Sequence, residues 1–268
     1  MQPEQRMNPT EVTDDAFLGT ALRVLQPKGG YRAGTDSVLL AASVEGTKDQ
    51  RLTVLDVGAG VGVAGLCAAA RLQSAHLTLL ELQQDLAELA LRNLTRNGLE
   101  GRGRVVVGDV RARQSLALIE PDSFDRVISN PPFHDAGKSR PSPSARKAAS
   151  HTMPDGGLDD WVRFMARAAR PGGSATLIHL AERLDDVLKS FQGRFGDICV
   201  LPLHPRPNEP AKRIIVSGIK GSRKPLRLLS GMVLHDQGNG FRPEVDRILR
   251  QPRALRPCCH GAGDTRSD

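Results

Sequence analysis

Leu52-Thr53-Val54-Leu55-Asp56-Val57-Gly58-Ala59-Gly60-Val61-Gly62 is the stretch on which the reading of this chain turns. Its apolar, β-branched run over 52–57 predicts a buried strand. The glycines then allow a sharp turn, and the small residues of 63–71 predict a helix. The same alternation recurs downstream. Strands are expected at 77–82, 104–107, 126–129 and 174–180. Helices are expected at 84–97, closed by Asn97-Gly98, and at 158–169, stopped by Arg170-Pro171-Gly172-Gly173. Strands alternating with helices indicate an α/β fold, a Rossmann-like, doubly wound and mostly parallel sheet with right-handed crossovers. The strands 198–203 and 213–218 are joined through the proline-rich link 205–210, which is too short for a helical crossover. The last strand should therefore run antiparallel to its predecessor.

Upstream, a small hairpin is expected around Gly19-Thr20, then a loop at 26–30 and a helix through 38–42 capped by Thr35 or Asp36. The organisation expected is one domain over 15–250: a hairpin and helix extension at 15–50, a core at 51–222 and a C-terminal extension at 223–250. Residues 1–14 read as a loose arm. Residues 251–268, which lack an apolar pattern, read as a disordered tail.

The net charge of +7 and a pI of about 9.6 favour an acidic partner, nucleic acid rather than membrane. With one Trp and one Tyr, rows of stacking rings cannot do the gripping, so charge and shape must. Cys67, Cys199, Cys258 and Cys259 contain no C-x-x-C pair, which points to no metal and to a reduced, cytoplasmic protein. No signal peptide or membrane-length apolar run is read.

A dinucleotide fingerprint would place a third glycine at position 63, where Val63 stands, so a nicotinamide enzyme is disfavoured. The spacing Asp56, Gly58, Gly60, Gly62 suits a nucleoside at a helix N-terminus better. Glu81, ending the second strand, can accept both ribose hydroxyls. Asp109, after the third, can accept from an adenine amino group. Ala59, Leu82, Val110, Asn130, Thr35 and Asp36 complete the expected donor pocket. Together these features predict S-adenosylmethionine.

Asn130-Pro131-Pro132-Phe133 ends the fourth strand, because neither proline can donate a ladder hydrogen bond. The exocyclic amine of adenine is a poor nucleophile, its lone pair being delocalised into the ring. The Asn130 side-chain oxygen and the Pro131 carbonyl can take both N–H protons and favour a pyramidal nitrogen, while Phe133 stacks on the purine. The same corner suits a glutamine amide, so it leaves adenine and glutamine both open. Pyrimidine C5 chemistry would need a cysteine here, and the Pro257-Cys258 pair lies in the tail. Expected RNA contacts are the loop cations Lys138, Arg140, Arg146 and Lys147, and Arg206, Lys212, Lys220, Arg223 and Lys224, while Arg32 is a candidate for an RNA phosphate or the donor carboxylate. Trp161, at helical spacing with Phe164 and Met165, reads as core packing.

At this point the chain resembles the class I methyltransferases, and within them the bacterial family that methylates adenosine N6 in the anticodon loop of a valine tRNA. The likeness rests on Asp15-Ala16-Phe17-Leu18-Gly19, on Gln26-Pro27 with Gly30-Tyr31-Arg32-Ala33-Gly34-Thr35-Asp36-Ser37, and on Asn130-Pro131-Pro132-Phe133. His204-Pro205-Arg206, Lys220-Gly221-Ser222-Arg223 and Leu234-His235-Asp236 also fit. It covers about residues 14–250. Thr20 stands where the family commonly has a second glycine. The resemblance implies a seven-stranded sheet whose last strand is antiparallel, an acceptor site at Asn130 to Phe133, and a donor held by Asp56, Gly58, Glu81 and Asp109. It implies a tRNA partner. The alternatives are a protein glutamine-N5 methyltransferase, which would favour Tyr at 133 and a helical partner-binding segment that residues 1–50 do not resemble, or an adenine methyltransferase of rRNA or DNA.

Overall fold

β3 (Thr53–Val57), β4 (His76–Glu81), β5 (Gly103–Val107) and β6 (Phe124–Ser129) run parallel in the spatial order β6-β3-β4-β5. The computed structural model from which this is read describes residues 12–29, 32–112, 117–132, 134–135, 152–153 and 157–255. Alternation along β3 sends Val54 and Leu55 into different hydrophobic clusters on the two faces of the sheet. One cluster is completed by α1 (Thr35–Ser43), α2 (Val63–Arg71) and α3 (Gln84–Arg96). The other is completed by α4 (Gly157–Ala168) and α5 (Leu184–Phe191), through Val162, Phe164 and Phe191. Helices on both faces explain why the central strands are apolar throughout rather than alternating.

Beyond β6 lies β9 (Ala169–Leu180), parallel to it. β11 (Arg213–Lys220) then inserts between β9 and β10 (Phe195–His204), antiparallel to both, as the short proline-rich link requires. The expected seven strands form the inner sheet. Among the described residues the full sheet has nine, because the two-residue strands β12 (Arg227–Leu228) and β13 (Met232–Val233) pair in parallel along β10. Strands so short carry no readable pattern. Two more of this length, β7 (His134–Asp135) and β8 (Thr152–Met153), pair in parallel where the chain leaves and re-enters the described residues.

At the N-terminus β1 (Val12–Phe17) and β2 (Leu22–Pro27) form the expected hairpin, the chain reversing through positive φ at Leu18 and Gly19. The strand begins at Val12, so the expected loose arm is shorter at its C-terminal end. Asn93 on α3 and Asn97, the C-cap that follows it, are four apart and thus on one face, and they dock the hairpin. Asn93 accepts from the Leu25 N–H (2.8 Å) and donates to its carbonyl (3.0 Å), and Asn97 does the same at Arg23 (3.0 and 2.9 Å). Asn93 also donates to the Val61 carbonyl (3.0 Å), which ties the hairpin to the glycine turn.

α1 starts after Gly34 with no side-chain cap, so neither Thr35 nor Asp36 caps it. The Asp36 carboxylate is engaged instead by Arg213 Nε at 2.9 Å. The C-terminal extension returns to this helix. α6 (Pro243–Arg250) buries Val245 and Ile248 and packs on α1, and the Leu255 N–H donates to the Ala42 carbonyl (2.8 Å) with its side chain buried. The tail expected from 251 is thus packed as far as 255, because one leucine three residues past Pro252 finds an apolar seat that no local periodicity announces.

Candidate active site

The carboxyl ends of β3, β4, β5 and β6 meet on one edge of the sheet, where ligands bind in folds of this kind. The Gly58 and Ala59 N–H groups both donate to the Leu80 carbonyl (2.8 and 2.9 Å), which folds the turn over the end of β4. Gly58 and Gly60 have φ of 68° and 57°, a region that side chains disfavour. A Cβ on Gly58 would lie 2.6 Å from Cζ2 of Trp161, so that glycine makes room for an indole. A Cβ on Gly60 would meet nothing within 4 Å, so at Gly60 the turn opens on free space.

Glu81 is locked in place by that turn. One carboxylate oxygen accepts from the Gly60 N–H (2.8 Å) and the other from the Gln83 N–H (2.9 Å). Each oxygen keeps acceptor capacity for a ribose hydroxyl. Burial pushes the carboxyl above its usual range, and backbone donors at Gln83, Gly60 and Leu82 pull against that. Asp109 follows β5, accepting from the Arg111 N–H (2.9 Å), while the Gly108 N–H donates to the Glu81 carbonyl (2.9 Å). The two acids therefore stand on adjacent strand ends. Leu82, 58% exposed, and the partly buried Val110 follow them in the chain. An apolar side chain so exposed beside an acid suits a flat ring whose amino group needs an acceptor.

Asp56 does not face this cleft. It is 1% exposed and accepts from the Gly65 N–H (2.8 Å) inside the first turn of α2. Burial pushes its carboxyl up to about 7, against the pull of the Gly65 bond and with the charge of Glu81 adding to the rise. The expected direct donor contact is replaced by a positioning role, since alternation along β3 sends residue 56 toward the helix. Thr35 and Asp36 open α1, and Asp36 is bonded to Arg213 at the start of β11, four strands along the sheet from β4, which Glu81 ends.

The register Val57 with Ser129 places Gly58 and Asn130 side by side. Asn130 is half-buried, Pro131 buried and Pro132 half-buried at the end of β6. Phe133, Lys138, Arg140, Arg146 and Lys147 lie outside the described residues. Ser129 had escaped the sequence reading, and Trp161, expected as core packing, does pack against the apolar cluster but also makes a polar contact. Trp161 donates its indole N–H to Ser129 Oγ at 2.8 Å. The signal was present in the chemistry of the residue: a tryptophan at a packed position still needs a partner for its N–H.

The expected RNA-contacting cations divide. Lys212 precedes β11, whose first residue Arg213 pairs with Leu180, and Arg206 follows the end of β10, so Lys212 and Arg206 share the edge that carries Asn130. Arg32 precedes α1 and is held by Asp15 at 2.6 Å; Asp15 also accepts from Gln26 (2.8 Å). Lys220, which ends β11 and is paired with Asp122, and Arg223 and Lys224 are on the other edge. β11 carries the chain back across the sheet from Arg213 to Lys220, roughly 23 Å at strand rise. The Asp197 N–H, near the start of β10, then donates to the Lys224 carbonyl (2.9 Å). These three do not reach the acceptor corner.

Among the described residues no group of His, Cys, Asp and Glu is placed to hold a metal ion, and no helix is long and apolar enough to cross a membrane. Paired strand-end acids, an open glycine and an exposed leucine fit the ribose and adenine of S-adenosylmethionine. With strand order β10-β11-β9-β6-β3-β4-β5, they define a class I methyltransferase dependent on that donor.

The family model described as methyltransferase small domain matches residues 16–158, and the chain belongs to that family. It is 29% identical, over 79% of its length and 86% of the relative's, to a protein of Aeromonas hydrophila named tRNA1(Val) (adenine(37)-N6)-methyltransferase. A protein of Porphyromonas gingivalis with the same name is 27% identical over 87% of this chain and 93% of its own. Among solved structures, a predicted O-methyltransferase from Agrobacterium tumefaciens superposes with a TM-score of 0.68. It is 32% identical and matches 82% of this chain and 98% of that one.

Proposed function

We propose that this protein transfers a methyl group from S-adenosylmethionine to N6 of an adenosine in tRNA, with position 37 in the anticodon loop of a valine tRNA as its target. The observation that carries the reading is the corner: Asn130, Pro131 and Pro132 end β6 beside the glycine turn. A second support is the name shared by relatives aligned over most of the chain.

When bound, the donor supplies an electrophilic methyl on a sulfonium, and the residues here provide position rather than proton chemistry. Glu81 and Asp109 hold the ribose and the adenine amino group, and the Gly60 backbone leaves the donor room. The Asn130 side-chain oxygen and the Pro131 carbonyl accept the two N6 hydrogens and aim the nitrogen lone pair. Phe133 supports the purine face. Arg32, Arg206 and Lys212 contact phosphates near the acceptor, and Lys138, Arg140, Arg146 and Lys147 extend that grip. A planar nitrogen with two hydrogens explains paired acceptors, which an alcohol acceptor would not require. The substrate places the protein in the cytoplasm.

The test is transfer of tritiated methyl to bulk tRNA from a strain lacking this protein, followed by nucleoside analysis. N6-methyladenosine in a valine tRNA is expected. Label in a protein glutamine, or in no RNA at all, overturns the reading.

A further inference from the structure

The chain's one tryptophan sits where the two halves of the site touch. The Trp161 indole N–H donates to Ser129 Oγ (2.8 Å), and Ser129 Oγ–H donates to the Val57 carbonyl (2.7 Å). Val57 is the last residue before the glycine turn and Ser129 the last before Asn130. This relay therefore joins the two strand ends at the level where donor and acceptor must meet. The six-membered ring of the same indole lies over Gly58, in the place a side chain would fill. The neighbours of Trp161 on α4 behave as ordinary core: Val162 and Met165 are fully buried, as Phe164 nearly is. Trp161 is only partly buried: it packs against the same apolar cluster with part of its ring and meets the turn at Gly58 and the strand end at Ser129 with the rest.

We infer that Trp161, acting through Ser129, is a positioning residue that sets the spacing between the donor turn and Asn130. The inference rests on the functional reading above. Ser129 is fully buried, so its hydroxyl must find partners in the protein, and both are strand-end or indole groups. Losing the indole N–H frees the Ser129 hydroxyl to rotate and lets β3 and β6 splay at their ends. An error near 1 Å in an in-line transfer costs roughly 100-fold in rate. Affinity for the donor, held on the other side of the turn by Glu81 and Asp109, should change little.

The experiment uses the full chain. Trp161→Phe keeps a ring on Gly58 and deletes only the donor, and Ser129→Ala breaks the relay at its middle. Each should lower kcat on tRNA by roughly 10- to 100-fold while KM for S-adenosylmethionine moves less than about 3-fold. The double variant should be little worse than either single one, since both cut the same relay. In wild type, the single-tryptophan fluorescence should shift when S-adenosylhomocysteine binds. A kcat within about 2-fold of wild type in stably folded Trp161→Phe overturns the inference, as does unchanged fluorescence at saturation measured calorimetrically. A fluorescence shift in wild type that transfers no methyl to tRNA overturns the substrate reading and leaves the placement of the ring standing.

Discussion

The two edges of the sheet carry the same residue types and use them in opposite ways. On the edge holding Asn130, charged groups stand at strand ends around a cleft: Glu81 and Asp109 on one side, Arg206 and Lys212 on the other. On the far edge, charges staple loops. Lys220 Nζ reaches Asp122 (2.5 Å) and the carbonyls of Ala166 and Ala169 (2.7 and 2.9 Å), and Asp197 accepts from Arg227 (3.2 Å). A positive net charge therefore says nothing about where nucleic acid sits until the strands have been ordered.

The contrast breaks most sharply at Asn130. Asn130→Ala should reduce kcat by about 100-fold or more, as loss of an oriented polar group at a reacting centre does. Donor affinity, measured by calorimetry with S-adenosylhomocysteine, should stay close to wild type. Loss of donor binding as well would move Asn130 into the donor half of the edge.

Asp56 gives the next effect, on stability. Its carboxyl rises from 3.8 to about 7 in the folded protein, so between those values the native state holds more protons than the unfolded one. Stability should fall as pH rises through that window and flatten above it, by an amount on the order of a few kcal/mol. Asp56→Asn keeps an acceptor for the Gly65 N–H and should remove most of the slope in urea melts taken from pH 4 to 8.

On the far edge Lys220→Ala should cost roughly 1–3 kcal/mol of stability, since it strips a charged donor from three acceptors. Its KM for tRNA should not change. The smallest effects sharpen the comparison itself. Replacing Arg206 and Lys212 with alanine should weaken tRNA binding several-fold at moderate salt and lower the salt slope by about 2. Replacing Arg223 and Lys224 should leave both within about 2-fold, as filter binding across a salt series would show. Equal effects from the two pairs would mean that tRNA wraps both edges.

Local pattern was enough for the elements that repeat. β3, the glycine turn, α2, β4, α3, β5, β6, α4 and β9 all follow from period, small residues and stop signals within a window of a few residues. The hairpin at Gly19 and the antiparallel β11 were legible too, the latter from loop length alone. Elements stabilised only by distant partners were not: β12 and β13 borrow the edge of β10, and Leu255 is buried on α1. Among candidate site residues, Glu81, Asp109 and Asn130 announce themselves as polar groups at the ends of apolar runs. Asp56 does so equally well, yet turns its carboxylate into α2.

By itself the sequence determined the order of strands and helices, the glycine turn with its acids, and the Asn-Pro-Pro-Phe corner, and hence the chemistry of methyl transfer to a planar nitrogen. These are local properties, carried by period, side-chain chemistry and missing N–H groups. Only the tertiary structure decided that Gly58 yields its space to Trp161 while Gly60 opens to the cleft. The same is true of Asp36 bonding to Arg213, and of Arg206 and Arg223 standing on opposite edges. Each depends on which way a strand runs and what packs against it, relations between residues as much as 177 positions apart that no local window contains.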